Sequence, residues 1–181
     1  MRIVSFATDQ PFYRDAAEAL RRDCDGLGVA HDIRVLQRWG GSKRERVIYK
    51  PTFIRELLEE HNQPLLWVDV DSRLSAGPAT PDTRMDVGVA ANPYGTCRGL
   101  ILTAGAIFVR PNSRTEAFLQ DWENRCKESP RSGFGDHYYL VKTACNHIIQ
   151  ESTVVGLLMN ELSGVTLCTS AQKVEKGVPR A

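Results

Sequence analysis

Two carboxylates one residue apart, Asp69 and Asp71 in Leu65-Leu66-Trp67-Val68-Asp69-Val70-Asp71-Ser72, are the strongest chemical signal in the chain. Spacing alone says little, because there are eleven aspartates and Asp23-Cys24-Asp25 repeats the pattern. Context separates the two. Asp23 and Asp25 stand just before Gly26-Leu27-Gly28, where a solvated helix end accounts for both. Asp69 and Asp71 instead follow four apolar residues without polar alternation, the pattern of a strand covered on both faces. In open α/β sheets, ligands bind beyond the carboxyl ends of such strands. Alternation along an extended chain puts Asp69 and Asp71 on one side and turns Val70 away. Two hard carboxylates there suit Mg²⁺ or Mn²⁺, above all an ion that also takes diphosphate oxygens. A strand-to-loop turn built from Asp and Ser72 is the structural alternative.

Those carboxylates need a scaffold, and the hydropathy pattern supplies one. Ile3 to Ala7 reads as a first strand. Asp9 is placed to cap a helix with Pro11 in its first turn and Ala16, Ala17 and Leu20 on one face, ending at Gly26-Leu27-Gly28. His31 to Leu36 alternates through Ile33 and Val35 as a second strand, and a polar loop follows from Gln37 to Tyr49. Pro51 is expected to open a second helix with the stripe Ile54, Leu57 and Leu58, and Pro64 to end it. Further strands are expected over Asp86 to Ala91 and Leu100 to Val109. Ser113-Arg114-Thr115-Glu116 has the form of a capping box and leads into an amphipathic helix through Phe118, Leu119, Trp122 and Cys126. A helix including Tyr138 to Ala144 and a last strand over Val165 to Cys168 complete the reading. Alternating strands and helices predict an α/β sandwich of three layers with a mostly parallel central sheet. With no repeat, linker or low-complexity tract, residues 1–181 read as one domain.

Three segments also carry a family resemblance. Lys50-Pro51-Thr52-Phe53-Ile54, then Leu66-Trp67-Val68-Asp69-Val70-Asp71-Ser72, then Thr103-Ala104-Gly105-Ala106-Ile107-Phe108 resemble, in order and spacing, the nucleotide-diphospho-sugar transferases of the GT-A fold. Bacteriophage and bacterial chromosomes carry short members of this kind. The resemblance implies a Rossmann-like GT-A sandwich and a hexosyltransferase-like enzyme that moves a sugar from a nucleotide diphosphate with Mn²⁺ or Mg²⁺ as cofactor. By position, Phe6, Ala7 and Thr8 would line the base pocket and Lys50 would approach the base or diphosphate. Asp69 would face the ribose and the metal, and Asp71 would ligate the metal. Ala104-Gly105 would let the donor sugar approach the backbone. Asp136-His137 stands where relatives often carry an acidic residue followed by Gln or Glu, so His137 is a departure. The chemistry is consistent with these parts: a divalent ion and Lys50 would stabilise the charge that develops on the leaving phosphates. Asp136 is the candidate carboxylate to orient the sugar or take a proton from the acceptor hydroxyl. A helix N-cap after Gly133-Phe134-Gly135 is its structural alternative, and one residue can do both.

Many relatives complete the metal shell with a late histidine. Of the four histidines, His31 and His61 each precede a strand, and His147 falls at a helix end, where a cation is favourable without any ligand role. Water and phosphate oxygens are the expected remaining ligands. A local basic stretch stands out as well: Arg34, Arg38, Lys43, Arg44, Arg46 and Lys50 against Glu45 alone, with Trp39 and Tyr49 between them. A solvated loop is the ordinary explanation. The alternative is an edge for an anionic polymer, and a phage-type transferase acting on modified DNA would then meet its acceptor through Arg38, Lys43, Arg44 and Arg46.

Composition limits the remaining classes. A net charge of +1 gives no global field for nucleic acid, and 42% apolar with 25% charged residues is ordinary globular composition. Five cysteines without Cys-x-x-Cys spacing argue against a zinc ribbon or redox dithiol. Their odd number, and a start too short of apolar residues for a signal segment, give a cytoplasmic chain with no membrane role as the expectation. Gly40-Gly41-Ser42-Lys43 lacks the order of a phosphate-binding loop, and neither Gly-x-Gly-x-x-Gly nor Gly-x-Ser-x-Gly occurs where it would matter. Two rivals stand. A haloacid-dehalogenase-like phosphatase also has Asp-x-Asp after an apolar strand, but wants Thr or Val where Arg73 stands. A non-catalytic nucleic-acid-binding protein would use the basic residues 34–50.

Overall fold

Period-two burial in Leu65-Leu66-Trp67-Val68 divides the molecule into its layers. The computed structural model describes residues 1–37, 43–91, 102–128, 136–158, 162 and 164–167. Its strands are β1 (Arg2–Thr8), β2 (His31–Leu36), β3 (Leu65–Val68), β4 (Arg73–Leu74), β5 (Val87–Ala91), β6 (Leu102–Val109), β7 (Val155–Leu158) and β8 (Val165–Thr166). The helices are α1 (Pro11–Gly26), α2 (Lys43–His61), α3 (Ser113–Glu128) and α4 (Asp136–Ile149). Six strands form the central sheet in the order β2-β1-β3-β6-β5-β7, and β4 pairs with β8 apart from it. The β1–β2, β1–β3 and β5–β7 pairings are parallel, while β6 runs antiparallel to both β3 and β5.

Leu65 and Trp67 face a core shared with Phe53, Ile54 and Leu57 of α2, Phe118 and Trp122 of α3, and Leu140 of α4. Leu66 and Val68 face the opposite core, with Ala17, Leu20 and Cys24 of α1. Helices therefore cover both faces, giving the expected three-layer α/β sandwich. Cys24 and Cys126 are buried free thiols, and burial pushes them up to about 11 and about 12, which makes them inert packing groups at neutral pH.

The differences from the sequence expectations lie at element ends. Asp9 does not cap α1: Gln10 occupies the N-cap without a side-chain bond, and Pro11 at the first position has no N–H to satisfy. The end of α1 is as expected, with Gly28 at φ +64 and the Val29 N–H bonded to the Cys24 carbonyl at 2.9 Å. The stretch Gln37 to Tyr49 is not one loop, because α2 begins at Lys43 and carries Pro51 inside it. Burial of Ile48, Phe53, Ile54 and Leu57 against the sheet outweighs the lost Pro51 hydrogen bond. The cap of α3 is Asn112, not Ser113; its Oδ1 accepts the Thr115 N–H at 2.9 Å and its amide donates to Asp86 at 2.8 Å. Strand β7 has no counterpart in the sequence reading. Gly88 and Gly156 pair across β5 and β7, and a Cβ on Gly156 would stand 2.3 Å from Met85 Cε.

Arg34, part of the basic stretch, lies on β2 and is fully committed. Its guanidinium donates to Asp32 at 2.7 and 3.0 Å and to both oxygens of Glu60 at 2.8 and 2.9 Å, tying β2 to the end of α2. The Arg34 hydrogen bond holds the Asp32 carboxyl below its ordinary value, as Arg73 does for Asp23. Both groups take up protons less readily folded than unfolded, so stability rises with pH across the carboxylate range. Their contribution is complete above about pH 5 and is lost as pH falls through the depressed values. Asp32→Asn is expected to flatten the acid limb of unfolding free energy against pH. An unchanged slope in denaturant titrations of this variant would contradict the assignment.

Candidate active site

The chain path creates a crevice between β1 and β3. From β1 it passes through α1 to β2 on one side, then through α2 to β3 on the other side of β1, with α1 and α2 on opposite faces. That reversal is the topological switch point at which open α/β sheets bind ligands. Thr8 ends β1 there, and Asp69 follows β3.

Lys50, from α2, occupies the centre of this edge. Its Nζ lies 2.6 Å from Asp136 Oδ2, 2.9 Å from Asp69 Oδ1 and 3.0 Å from the Ala104 carbonyl, which uses all three of its donors. Trp67 Nε1 donates to the same Asp69 Oδ1 at 3.3 Å, and the ammonium sits 5.1 Å from the Trp67 ring centre. Burial works to lower the Lys50 pKa, but the fields of Asp136 and Asp69 outweigh it, and the net shift is upward. Lys50 is a permanent cation. Asp136 opens α4, where the positive end of the helix also favours its charge, and Trp122 Nε1 fixes that turn by donating to the Asp136 carbonyl at 3.2 Å.

Asp69 parts company with the residue that follows it. Val70 packs in the α1-side core, whereas Asp69 reaches Lys50 on the α2 side. The Asp69 N–H donates to the Gly105 carbonyl at 2.8 Å, and the Ser72 N–H closes a turn onto the Asp69 carbonyl at 2.9 Å. Asp71 is buried. A Cβ on Gly105 would stand 3.2 Å from Leu167 Cδ1 and 3.3 Å from Thr103 Oγ1, both tight, so glycine suits this position. Ala104 turns its side chain into the core and offers only its backbone: its carbonyl to Lys50, its N–H to His137 Nδ1 at 3.0 Å.

Phe6 stacks edge-on against Phe53, with ring centres 5.1 Å apart, beside Tyr49 and Trp67, and Ala7 is buried beneath α1. Thr8 is buried, and its hydroxyl has no hydrogen-bond partner among the described residues. An orphan hydroxyl at this edge is the kind of group a bound ligand satisfies. Asp69 and Asp71 carry hard carboxylate oxygens, the class of atom that Mg²⁺ and Mn²⁺ prefer. Among the described residues, three ligand-type side chains converge within 4.8 Å at Asp32, Glu60 and His61, and there the Arg34 guanidinium already serves as counter-ion. His147 lies at the other end of α4, about 16 Å along the helix from Asp136. Its Nδ1 bonds Thr153 and Ser152, and its ring packs on Phe118.

Two contributors escaped the sequence reading. Trp67 shares a strand face with Asp69, so its indole was findable from the two-residue spacing. Thr103, which bonds His137 and Gly105, stands in the third resembling segment, where the resemblance implies no role for it. Of the basic stretch, Arg34 and Lys50 are paired with carboxylates, and the Tyr49 hydroxyl donates to Glu56 at 3.0 Å. Arg38, Trp39 and the side chains of Lys43, Arg44 and Arg46 lie outside the described residues, as do Gly133-Phe134-Gly135 and the chain beyond Leu167.

No protein-family model matches the chain, and no curated protein does. Among solved structures, similarity extends to the crystal structure of a glycosyltransferase involved in the glycosylation of the major capsid of PBCV-1. The TM-score is 0.62, over 87% of this chain and 81% of that one, at 14% identity. The two chains share a fold. Among the described residues, no helix is long and apolar enough to cross a membrane.

Proposed function

We propose that this protein is a metal-dependent glycosyltransferase that moves a sugar from a nucleotide diphosphate donor to a hydroxyl-bearing acceptor. The observation that carries the reading is Lys50 held between Asp69 and Asp136 at the switch point of a glycosyltransferase-like fold. Counting Asp71, the edge brings three formal negative charges against one positive. Alone it would repel a diphosphate, and a divalent cation would reverse that. Asp69 and Asp71 would hold Mg²⁺ or Mn²⁺, which supplies Lewis-acid stabilisation of the leaving diphosphate. Lys50 adds a fixed positive charge on the same side, already ordered and needing no reorganisation. Asp136 orients a sugar hydroxyl or accepts a proton from the acceptor, and the Thr8 hydroxyl takes a polar atom of the nucleotide. Modified DNA and glycans both present suitable acceptor hydroxyls.

Thermal unfolding with UDP, GDP, CDP and dTDP, each with and without Mn²⁺, tests this reading. One of them with Mn²⁺ is expected to raise stability by about 2.7 kcal/mol at 100 times its dissociation constant, and Asp71→Asn to remove that gain. No shift with any of the four, together with no metal-dependent nucleotide release from their glucose, galactose or N-acetylglucosamine conjugates, overturns it.

A further inference from the structure

A sheet interruption beside the site has to be repaired by some acceptor. Val89 of β5 pairs with Ile107, but Ala90 pairs with Thr103, so residues 104–106 of β6 have no counterpart on β5. Such bulges leave ladder groups unpaired, and a buried N–H without an acceptor is costly. Ala104 is wholly buried. Its N–H donates to His137 Nδ1 at 3.0 Å, and the Thr103 hydroxyl lies 3.2 Å from the same nitrogen. Thr103 Oγ1 accepts the Gly105 N–H at 3.1 Å, which leaves its own hydrogen for His137. A ring nitrogen that accepts a backbone N–H cannot carry a proton itself, so the neutral imidazole is protonated on Nε2.

We infer that His137 is a positioning residue, held as the Nε2–H tautomer, whose Nδ1 pins the β6 bulge. The bulge in turn aims the Ala104 carbonyl at Lys50, while on the other side of β6 the Gly105 carbonyl accepts the Asp69 N–H in continuation of the β3–β6 register. Asp136, Lys50, Ala104 and His137 thus close a ring, with the chain itself joining its ends. The ring nitrogen left as donor, Nε2, lies 3.7 Å from Asp136 Oδ1. Any consequence for turnover rests on the transferase reading, whereas the tautomer and the pinned amide do not.

Nitrogen NMR of the full chain at neutral pH should show Nδ1 unprotonated and the proton on Nε2. Exchange of the Ala104 amide should quicken about tenfold in His137→Ala, the loss of one net hydrogen bond. His137→Asn, whose Oδ1 takes the place of Nδ1, should keep that amide slow, and His137→Gln should not. A proton on Nδ1, or Ala104 exchange unaltered in His137→Ala, overturns the inference. If His137→Ala does not fold, the tautomer in the unsubstituted protein and the contrast between the Asn and Gln variants decide. The expected tautomer and exchange in a protein without donor turnover would uphold the inference and defeat only the transferase reading.

Discussion

Lys50→Met is expected to destabilise the folded chain by about 3–5 kcal/mol and to abolish donor turnover. The size of the effect follows from burial, since the side chains of Lys50 and Asp136 are 8% and 7% exposed. An ion pair in such a place contributes little net stability, because desolvation of both partners offsets their attraction. Removing the cation alone is different: Asp136 and Asp69 then face each other without the ammonium that both contact. The methionine fills the volume, so the loss reports charge rather than a cavity. Adding Asp136→Asn should recover a large part of the stability, and the double-mutant cycle measures the coupling directly. Urea unfolding of the four species is the measurement. A loss under about 1 kcal/mol would mean that water reaches these carboxylates freely, as at an exposed pair.

Asp136→Asn by itself is expected to lower kcat by about 10²–10⁴, the usual range for a positioned acid or base, with metal-dependent nucleotide binding retained. Asparagine keeps the shape and the capping ability of aspartate at a helix start, so a purely structural Asp136 tolerates the change. A carboxylate that orients a sugar or takes a proton does not. Lys50 still has Asp69 and the Ala104 carbonyl in this variant, so it should be milder on stability than Lys50→Met. Titration calorimetry with Mn²⁺ and nucleotide diphosphate, beside turnover, separates the roles. Full turnover in Asp136→Asn alongside unfolding in Asp136→Ala would assign the residue to the helix end alone.

The sequence by itself carried whatever depends on neighbours along the chain. Four unbroken apolar residues announced the buried β3, and alternation put Val70 opposite Asp69. The helical stripes of α1 and α3 and the glycine stop of α1 were equally legible, because periodic burial is written into periodic residue types. Element ends were less so: Asn112 took the α3 cap through its bond to Asp86, a residue on a different element. Pro51 sits inside α2 because tertiary burial outweighs one missing hydrogen bond. The site depends still more on distance. Lys50, Asp69, Ala104 and Asp136 come from four separate segments, and no local pattern says that they meet. His137 looked like a departure from a family pattern, yet its nitrogen repairs a bulge whose register exists only between paired strands. Asp-x-Asp marked where along the chain to look for a candidate site. Helix α2 brought it a cation and α4, packed on the same face of the sheet, a third carboxylate, since charge pairing in a buried crevice is a property of topology and not of sequence order.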